Sequence, residues 1–235
     1  MRRFILAAVA ASAIFSPNHA RAGDVRGVVE LFTSQGCSSC PPADEVLGEV
    51  SDKGGVLTLA LHVDYWDRLG WKDTFSSKAY TQRQRGYAAG FNTNTIYTPQ
   101  FVINGLAEPG IGSSGGIEST ISDLGSRGFG LDVPVSAKIS GDKVVVTAGS
   151  GKGAANIVLV SYIKSKDVAI ERGENAGRTI TYRNAVTSIR TVGKWNGENL
   201  TLEVPKPDGS GIAILLQRDN AAGGPGAIIG AATGG

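Results

Sequence analysis

The chain of 235 residues has two cysteines, and both fall in Gln35-Gly36-Cys37-Ser38-Ser39-Cys40-Pro41-Pro42. An apolar strand pattern, Val28 to Phe32, ends just before this segment, and a helical pattern, Ala43 to Val50, begins just after it. A cysteine at a helix N-terminus faces unpaired backbone N–H groups and the positive end of the helix dipole, which favour its thiolate. Cys37 is therefore expected to be the nucleophile of a thiol–disulfide exchange. Cys40, one turn further in and more shielded, is expected to resolve the mixed disulfide formed at Cys37. Pro41 and Pro42 fit because first-turn N–H groups have no intrahelical acceptor to lose. The alternative is a static bridge or a metal clip. A staple across two intervening residues removes little unfolded-state entropy, so a purely stabilising role is the weaker reading.

The remaining chemistry-bearing residues are few. Arg2 and Arg3 precede an apolar run from Phe4 to Phe15 and a small-residue site, Ala20-Arg21-Ala22, the pattern of a cleavable signal peptide over residues 1–22. A periplasmic or secreted protein is expected. The apolar run is shorter than the roughly 20 residues that span a bilayer, and no later segment is longer, so the chain is not expected to cross a membrane. Removing Arg2, Arg3 and Arg21 from the 23 basic residues leaves 20 against 21 acidic ones, which gives no reason to expect nucleic acid as a partner. His62 is then the one histidine left. With Cys37 and Cys40 it makes three Cys and His ligands, short of the four of a structural zinc site. Two thiolates could hold Cu(I), but the one methionine, Met1, is in the leader and supplies no thioether. No cofactor is called for, because the two sulfurs carry the electrons themselves.

Those residues need a frame. Val28–Phe32, the Ala43–Val50 helix and a second buried strand, Val56–Val63, make a βαβ unit with parallel strands and a right-handed crossover. Helices are expected over Ser77–Phe91 and Ser114–Leu124, with a strand Gln100–Ile103 closed by an Asn104-Gly105 turn between them. From Leu131 the chain reads as strands and turns. Alternation before and after Gly141-Asp142 marks a hairpin, and Ile157–Ile163, Leu200–Val204 and Ile212–Leu216 add strands. A first unit over 23–128, a β-rich unit over 129–220 resembling a small antiparallel sandwich, and a Gly/Ala-rich tail over 221–235 are expected. The tail is either mobile or a late edge strand. Arg172, Arg178, Arg183 and Arg190 spread over a polar stretch and are read as solvated or paired, with a docking surface as the alternative. His62 to Asp67 follows the second parallel strand and should flank the cysteines. There His62 either acts as acid or base, or is a packed, hydrogen-bonded residue.

Val29 to Cys40 resembles the strand-to-active-site stretch of thioredoxins and glutaredoxins, and Tyr97-Thr98-Pro99-Gln100-Phe101-Val102-Ile103-Asn104-Gly105 resembles their cis-proline stretch. The resemblance implies an α/β, thioredoxin-like domain with a C-terminal antiparallel β extension. It implies a cis Pro99, and a substrate site where the Thr98 backbone, Tyr97, Ser38 and Ser39 receive a thiol or disulfide of a protein or small molecule. It also implies that Glu30, on a central strand, relays a proton for Cys40, unless strand alternation turns it to a solvated edge. Ser38-Ser39 is not the dipeptide of any of the well-known relatives, and that dipeptide tunes the potential, so the direction of electron flow stays open. The mature chain is also similar to an uncharacterised family of secreted bacterial proteins with a thioredoxin-like fold. That likeness rests on His62-Val63-Asp64-Tyr65-Trp66-Asp67 and on Arg172 to Thr179.

Overall fold

A computed structural model describes residues 25–110 and 112–234. The expected leader, 1–22, lies outside the described residues. The elements are β1 (Gly27–Thr33), α1 (Pro41–Lys53), β2 (Val56–His62), α2 (Lys78–Gly90), β3 (Gln100–Ile103) and α3 (Ser114–Ser126). They continue with β4 (Val135–Ser140), β5 (Lys143–Ala148), β6 (Ala155–Ala169), β7 (Thr179–Trp195), β8 (Leu200–Pro205), β9 (Gly211–Asp219) and β10 (Pro225–Thr233). No helix among them is long and apolar enough to cross a membrane.

Seven strands form one mixed sheet in the order β10-β9-β6-β7-β2-β1-β3, and β4-β5-β8 form a separate antiparallel sheet. β1 and β2 run parallel, as a βαβ unit requires, and β3 pairs antiparallel with β1. Every residue of β1 and β2 is buried, because helices cover both faces at the middle of the sheet. Val29 and Leu31 face Ala43 and Leu47 of α1 and Ile117 and Ile121 of α3. Val28 and Phe32, of opposite parity, face Tyr80 and Tyr87 of α2.

The large sheet runs across the point at which the composition changes. β7 joins β2 in parallel at Ala60 and Ala185, and β6, β9 and β10 extend the sheet beyond it. The sandwich expected after residue 129 therefore borrows one of its layers from this sheet. Ile157, Leu159, Ile214 and Leu216 pack against Val144, Val146 and Val204 of the small sheet. The late segment forms edge strand β10. It is locked to the Asn104-Gly105 turn, where Ile228 N donates to Asn104 O at 2.9 Å. Gly105 has φ +68°, and a Cβ there would stand 2.0 Å from Gly226 O, so the turn admits only glycine.

The stretch from Lys164 to Asn199 differs most from expectation. The polar stretch forms a long ribbon of β6 and β7, with Arg183 and Arg190 on β7, Arg172 and Arg178 in the turn between the strands, and all four exposed or half-buried.

Glu30 also differs from expectation. It is buried inside the sheet, not at a solvated edge, and it lies on the α2 face, opposite α1 and its cysteines. Its carboxylate accepts from Arg83 Nε at 2.6 Å and Arg83 Nη2 at 3.1 Å, and from the Tyr87 hydroxyl. Gln217 of β9 closes this network, accepting from Arg83 Nη2 and donating to the Tyr87 oxygen, each at 2.8 Å. Glu30 is thus an internal tie between β1, α2 and β9. Removing one member of such a pair strands a buried charge, so Arg83→Met should cost about 3–5 kcal/mol in urea denaturation. Combining it with Glu30→Gln should recover part of that loss. An additive double variant would contradict the pairing.

Candidate functional site

β1 ends at Thr33, and the chain turns through Ser34–Gly36 before α1 starts at Pro41. Cys37 and Cys40 are joined by a disulfide, with Cα atoms 5.4 Å apart. Cys40 is the N-cap of α1, has helical dihedrals and brings no side-chain cap. Cys37 N donates to Ser34 O at 3.1 Å, Gly36 N to Ser34 Oγ at 3.1 Å, and Cys40 N to Cys37 O at 3.2 Å. Ser39 Oγ lies 3.4 Å from Cys37 Sγ, close enough to donate to the sulfur. Ser38 and Ser39 are exposed, whereas both cysteines have 0% exposure. This corrects the expected asymmetry, because Cys37 is covered as completely as Cys40.

The register of β1 with β3, Phe32 opposite Gln100, brings Pro99 to the sheet end where the cysteine loop leaves. The Thr98–Pro99 peptide bond is cis. Trp66 bridges the two segments: its Cβ would lie 3.3 Å from a Cβ on Gly36, and its indole N–H donates to Thr98 Oγ1 at 2.8 Å. Gln84 pins the same stretch, donating to Tyr97 O and to Gln100 Oε1, each at 2.7 Å. The Tyr97 ring is exposed, and its hydroxyl donates to Glu108.

Under the cysteines, on the α1 face of the sheet, lies a cluster of buried polar groups. His62 ends β2, pairs in register with Thr33, and is fully buried. Its Nδ1 sits 2.7 Å from Asp73 Oδ2, and its ring meets those of Phe75 and Tyr182 edge to face. The same Asp73 oxygen accepts Gln35 N at 2.7 Å, so one carboxylate ties His62 to the cysteine loop. Burial by itself would push the imidazole down, but the charge and hydrogen bond of Asp73 outweigh it and the His62 pKa is raised. Asp73 moves the other way: burial opposes it, but His62 and the N–H groups of Gln35 and Phe75 hold it below its ordinary value. His62 is therefore packed and hydrogen-bonded, and it reaches the cysteines through Asp73 and Gln35.

Asp44 was not singled out from sequence. It lies one turn below Cys40 in α1, and its N–H donates to Cys40 O at 3.1 Å. Side chains four apart share a helix face, so the carboxyl hangs beneath Cys40. Neither carboxyl oxygen finds a hydrogen-bond partner among the described residues, nor do Thr33 Oγ1, His62 Nε2 and the Tyr182 hydroxyl. Burial drives Asp44 up to about 7, with the His62 charge opposing. In sequence it is one more first-turn acid, and only its burial distinguishes it. Among the described residues, no group of three or more His, Cys, Asp or Glu is disposed to hold a metal ion.

Two residues from the far side of the chain complete the site. Asn175 is buried and donates from Nδ2 to the carbonyls of Gln35 and Cys37, each at 2.9 Å. Glu174 Oε2 accepts from Ser38 N at 3.1 Å and Ser38 Oγ at 2.7 Å. Of the expected site residues, Cys37, Cys40, Ser38, Ser39, Tyr97, Thr98 and Pro99 gather at one end of the sheet, with His62 linked from below. Glu30 does not join them.

Fold and site together define a mixed α/β protein with one buried disulfide at a helix start. Residues 28–217 match the family described as "Protein of unknown function (DUF1223)", and the chain belongs to that family. It is similar to a crystal structure of a protein from Agrobacterium tumefaciens, at 41% identity and TM-score 0.80, covering 88% of this chain and 92% of that one. It also shares its fold with HBP35 of Porphyromonas gingivalis, at 15% identity and TM-score 0.63, over 89% of this chain and 74% of that one. No curated protein matches the chain.

The position of Asp44 carries a pH consequence. The unfolded chain releases this proton near 4 and the folded protein near 7, so the folded state holds the extra proton across that window. The Asp44 contribution to stability is full below about pH 4 and is lost as pH rises to about 7, an amount on the order of 4 kcal/mol. The raised His62 pKa adds a loss of the same sign at higher pH, whereas the depressed Asp73 pKa weakens the fold only at the acid end. Asp44→Asn should flatten the decline between pH 4 and 7 and stabilise the oxidised protein at pH 8, as read by urea denaturation. An unchanged slope would contradict the assignment.

Proposed function

We propose that this protein is an exported thiol–disulfide oxidoreductase of thioredoxin-like design, acting through Cys37 and Cys40 on thiols and disulfides of proteins or small molecules. The observation that carries the reading is that the disulfide starts a helix directly above a buried, unpartnered carboxyl, Asp44, poised near neutral pH. A bridge serving only as a staple has no use for so costly a group beneath it.

In the reductive half of the cycle a partner thiolate attacks Cys37 Sγ. A new S–S bond forms to the partner, the Cys37–Cys40 bond breaks, and Cys40 leaves with the electron pair as a thiolate. Protonated Asp44 lies within one helical turn to neutralise it. A second partner thiolate then attacks the partner sulfur of the mixed disulfide, Cys37 is released, and the partner departs oxidised by two electrons. Run in reverse, ionised Asp44 takes the Cys40 proton as Cys40 attacks the adduct. A carboxyl that titrates near neutrality serves both directions. The positive end of α1 and the Ser39 hydroxyl favour the Cys37 thiolate, and the Tyr97–Thr98–Pro99 segment beside the cysteines is where the partner chain rests.

The division of roles is testable with a defined disulfide. Reduced Cys40→Ser exposed to glutathione disulfide should retain one glutathione on Cys37, seen by intact mass. The wild type should pass through that adduct and end in the internal disulfide. A wild type that turns over while Cys40→Ser accumulates no adduct would contradict the assignment of Cys37 as the attacking sulfur.

A further inference from the structure

The loop that carries the sulfurs is gripped by a segment encoded some 135 residues after it, through Asn175 on the Gln35 and Cys37 carbonyls and Glu174 on Ser38. β6 and β7 run on past the body of the sheet, beyond the Ala60 and Ala185 pairing. Their tip is a tight loop between Ile170 and Arg178, in which Ile170 N donates to Arg178 O and Gly177 N donates to Ile170 O. Gly173 and Gly177, each at φ +80°, let it fold back, and Gly173 closes on Trp71. Val168, Ile170, Ile180 and Tyr182 seat the ribbon on Trp71 and Phe75. Asn175 is held on its other side by Arg178 Nη1 at 3.1 Å, so its amide is aimed at the two loop carbonyls. Buried and fully bonded, it fixes the loop's shape.

Glu174 is different. It is exposed, so burial does not require its contact, yet its carboxylate takes both the N–H and the hydroxyl of Ser38, the residue next to Cys37. Ser38 lies two residues before the N-cap Cys40, so its N–H is a donor next to Cys37 that Glu174 has taken. The two Ser38 donors, the hydroxyl foremost, hold the Glu174 carboxyl below its ordinary range, so it is anionic at neutral pH.

We propose that Glu174 is a positioning residue for the exchange reaction: latched onto Ser38, it keeps the hairpin tip over Cys37 and sets a negative charge beside the sulfur, so the pair reacts when an incoming partner displaces it. The inference rests on the exchange reading of Cys37 and Cys40. It gives two sulfurs with no exposure a route into a bimolecular reaction, because the loop that carries them is held on this side by an exposed side chain that a partner can displace. It also makes the partner's first contact a competition for Ser38.

The test uses the full chain and two variants at this exposed position. Glu174→Ala removes latch and charge, whereas Glu174→Gln keeps an acceptor for Ser38 and removes the charge alone. Access is read as the rate of reduction of the Cys37–Cys40 bond by tris(hydroxypropyl)phosphine. That reductant is uncharged and its action irreversible, so the pair's potential does not bias the rate, and Glu174→Gln reports how much of any change comes from the lost charge alone. The charge effect is read as the Cys37 thiolate pKa, by thiolate absorbance in a Cys40→Ser background. Glu174→Ala should speed phosphine reduction about fivefold, the weight of roughly one exposed hydrogen bond. Both variants should lower the Cys37 pKa by about half a pH unit, the direction expected when a like charge is removed. A Glu174→Ala rate within twofold of wild type, or an unmoved thiolate pKa in both variants, would overturn the proposal. Failure of the exchange reading itself is separately visible, because it appears in the equilibrium potential and leaves both readouts measurable.

Discussion

Between Thr33, where β1 ends, and Pro41, where α1 begins, the chain is buried except at Ser38 and Ser39 but has left the sheet, and its buried N–H and C=O groups must find partners elsewhere. Much of the remaining architecture meets that requirement. Gln35 N is taken by Asp73, the two carbonyls by Asn175, Gly36 N by the Ser34 hydroxyl and Ser38 N by Glu174. Asp73 comes from the segment after β2, and Asn175 and Glu174 from the β6–β7 ribbon, so the loop is held by parts of the chain distant in sequence. The fused sheet serves the same end. Only by joining β2 through β7 does the ribbon reach the cysteines. The Asn184 amide, donating to Thr58 Oγ1 at 2.8 Å, fixes that junction.

Two buried acids show how burial and pairing lead to different chemistry. Glu30 meets a guanidinium and a phenol and is spent on cohesion between sheet and helix. Asp44 has no charged group in hydrogen-bond contact among the described residues, and burial, only partly offset by the His62 charge and the nearby Thr33 hydroxyl, leaves a carboxyl that keeps its proton to about pH 7. Beside it, His62 and Asp73 form a closed pair in which each moves the other's pKa toward the charged form, His62 up and Asp73 down. Asp44 on α1 and the His62–Asp73 pair after β2 thus lie together on the α1 face of the sheet, the side that carries the cysteines.

The strand–cysteine–helix order and the βαβ unit were legible because buried parallel strands read as continuous apolar runs, and helix starts carry prolines. The parity of β1 was not. Glu30 and Leu31 differ by one residue, yet they point to opposite faces, and nothing local says which face receives α1. β7 was missed because its outward residues are arginines, threonines and serines, so alternation against a half-exposed face looked like loop. Glu174 and Asn175 stood out only as part of a recurring segment. Their role depends on a contact across some 135 residues, and such contacts leave no period in the sequence. Asp44 carried the opposite problem, since an acid in a helix's first turn is ordinary until the surrounding volume is known to be dry.

A buried acid under a helix-start disulfide should make a reactive pair. The most direct test is the reduction potential of Cys37 and Cys40, by equilibration of the metal-free protein with glutathione or dithiothreitol buffers. The account predicts a value between about −120 and −270 mV, where catalytic pairs of this spacing fall. A value below about −300 mV would mark a structural bridge and contradict it.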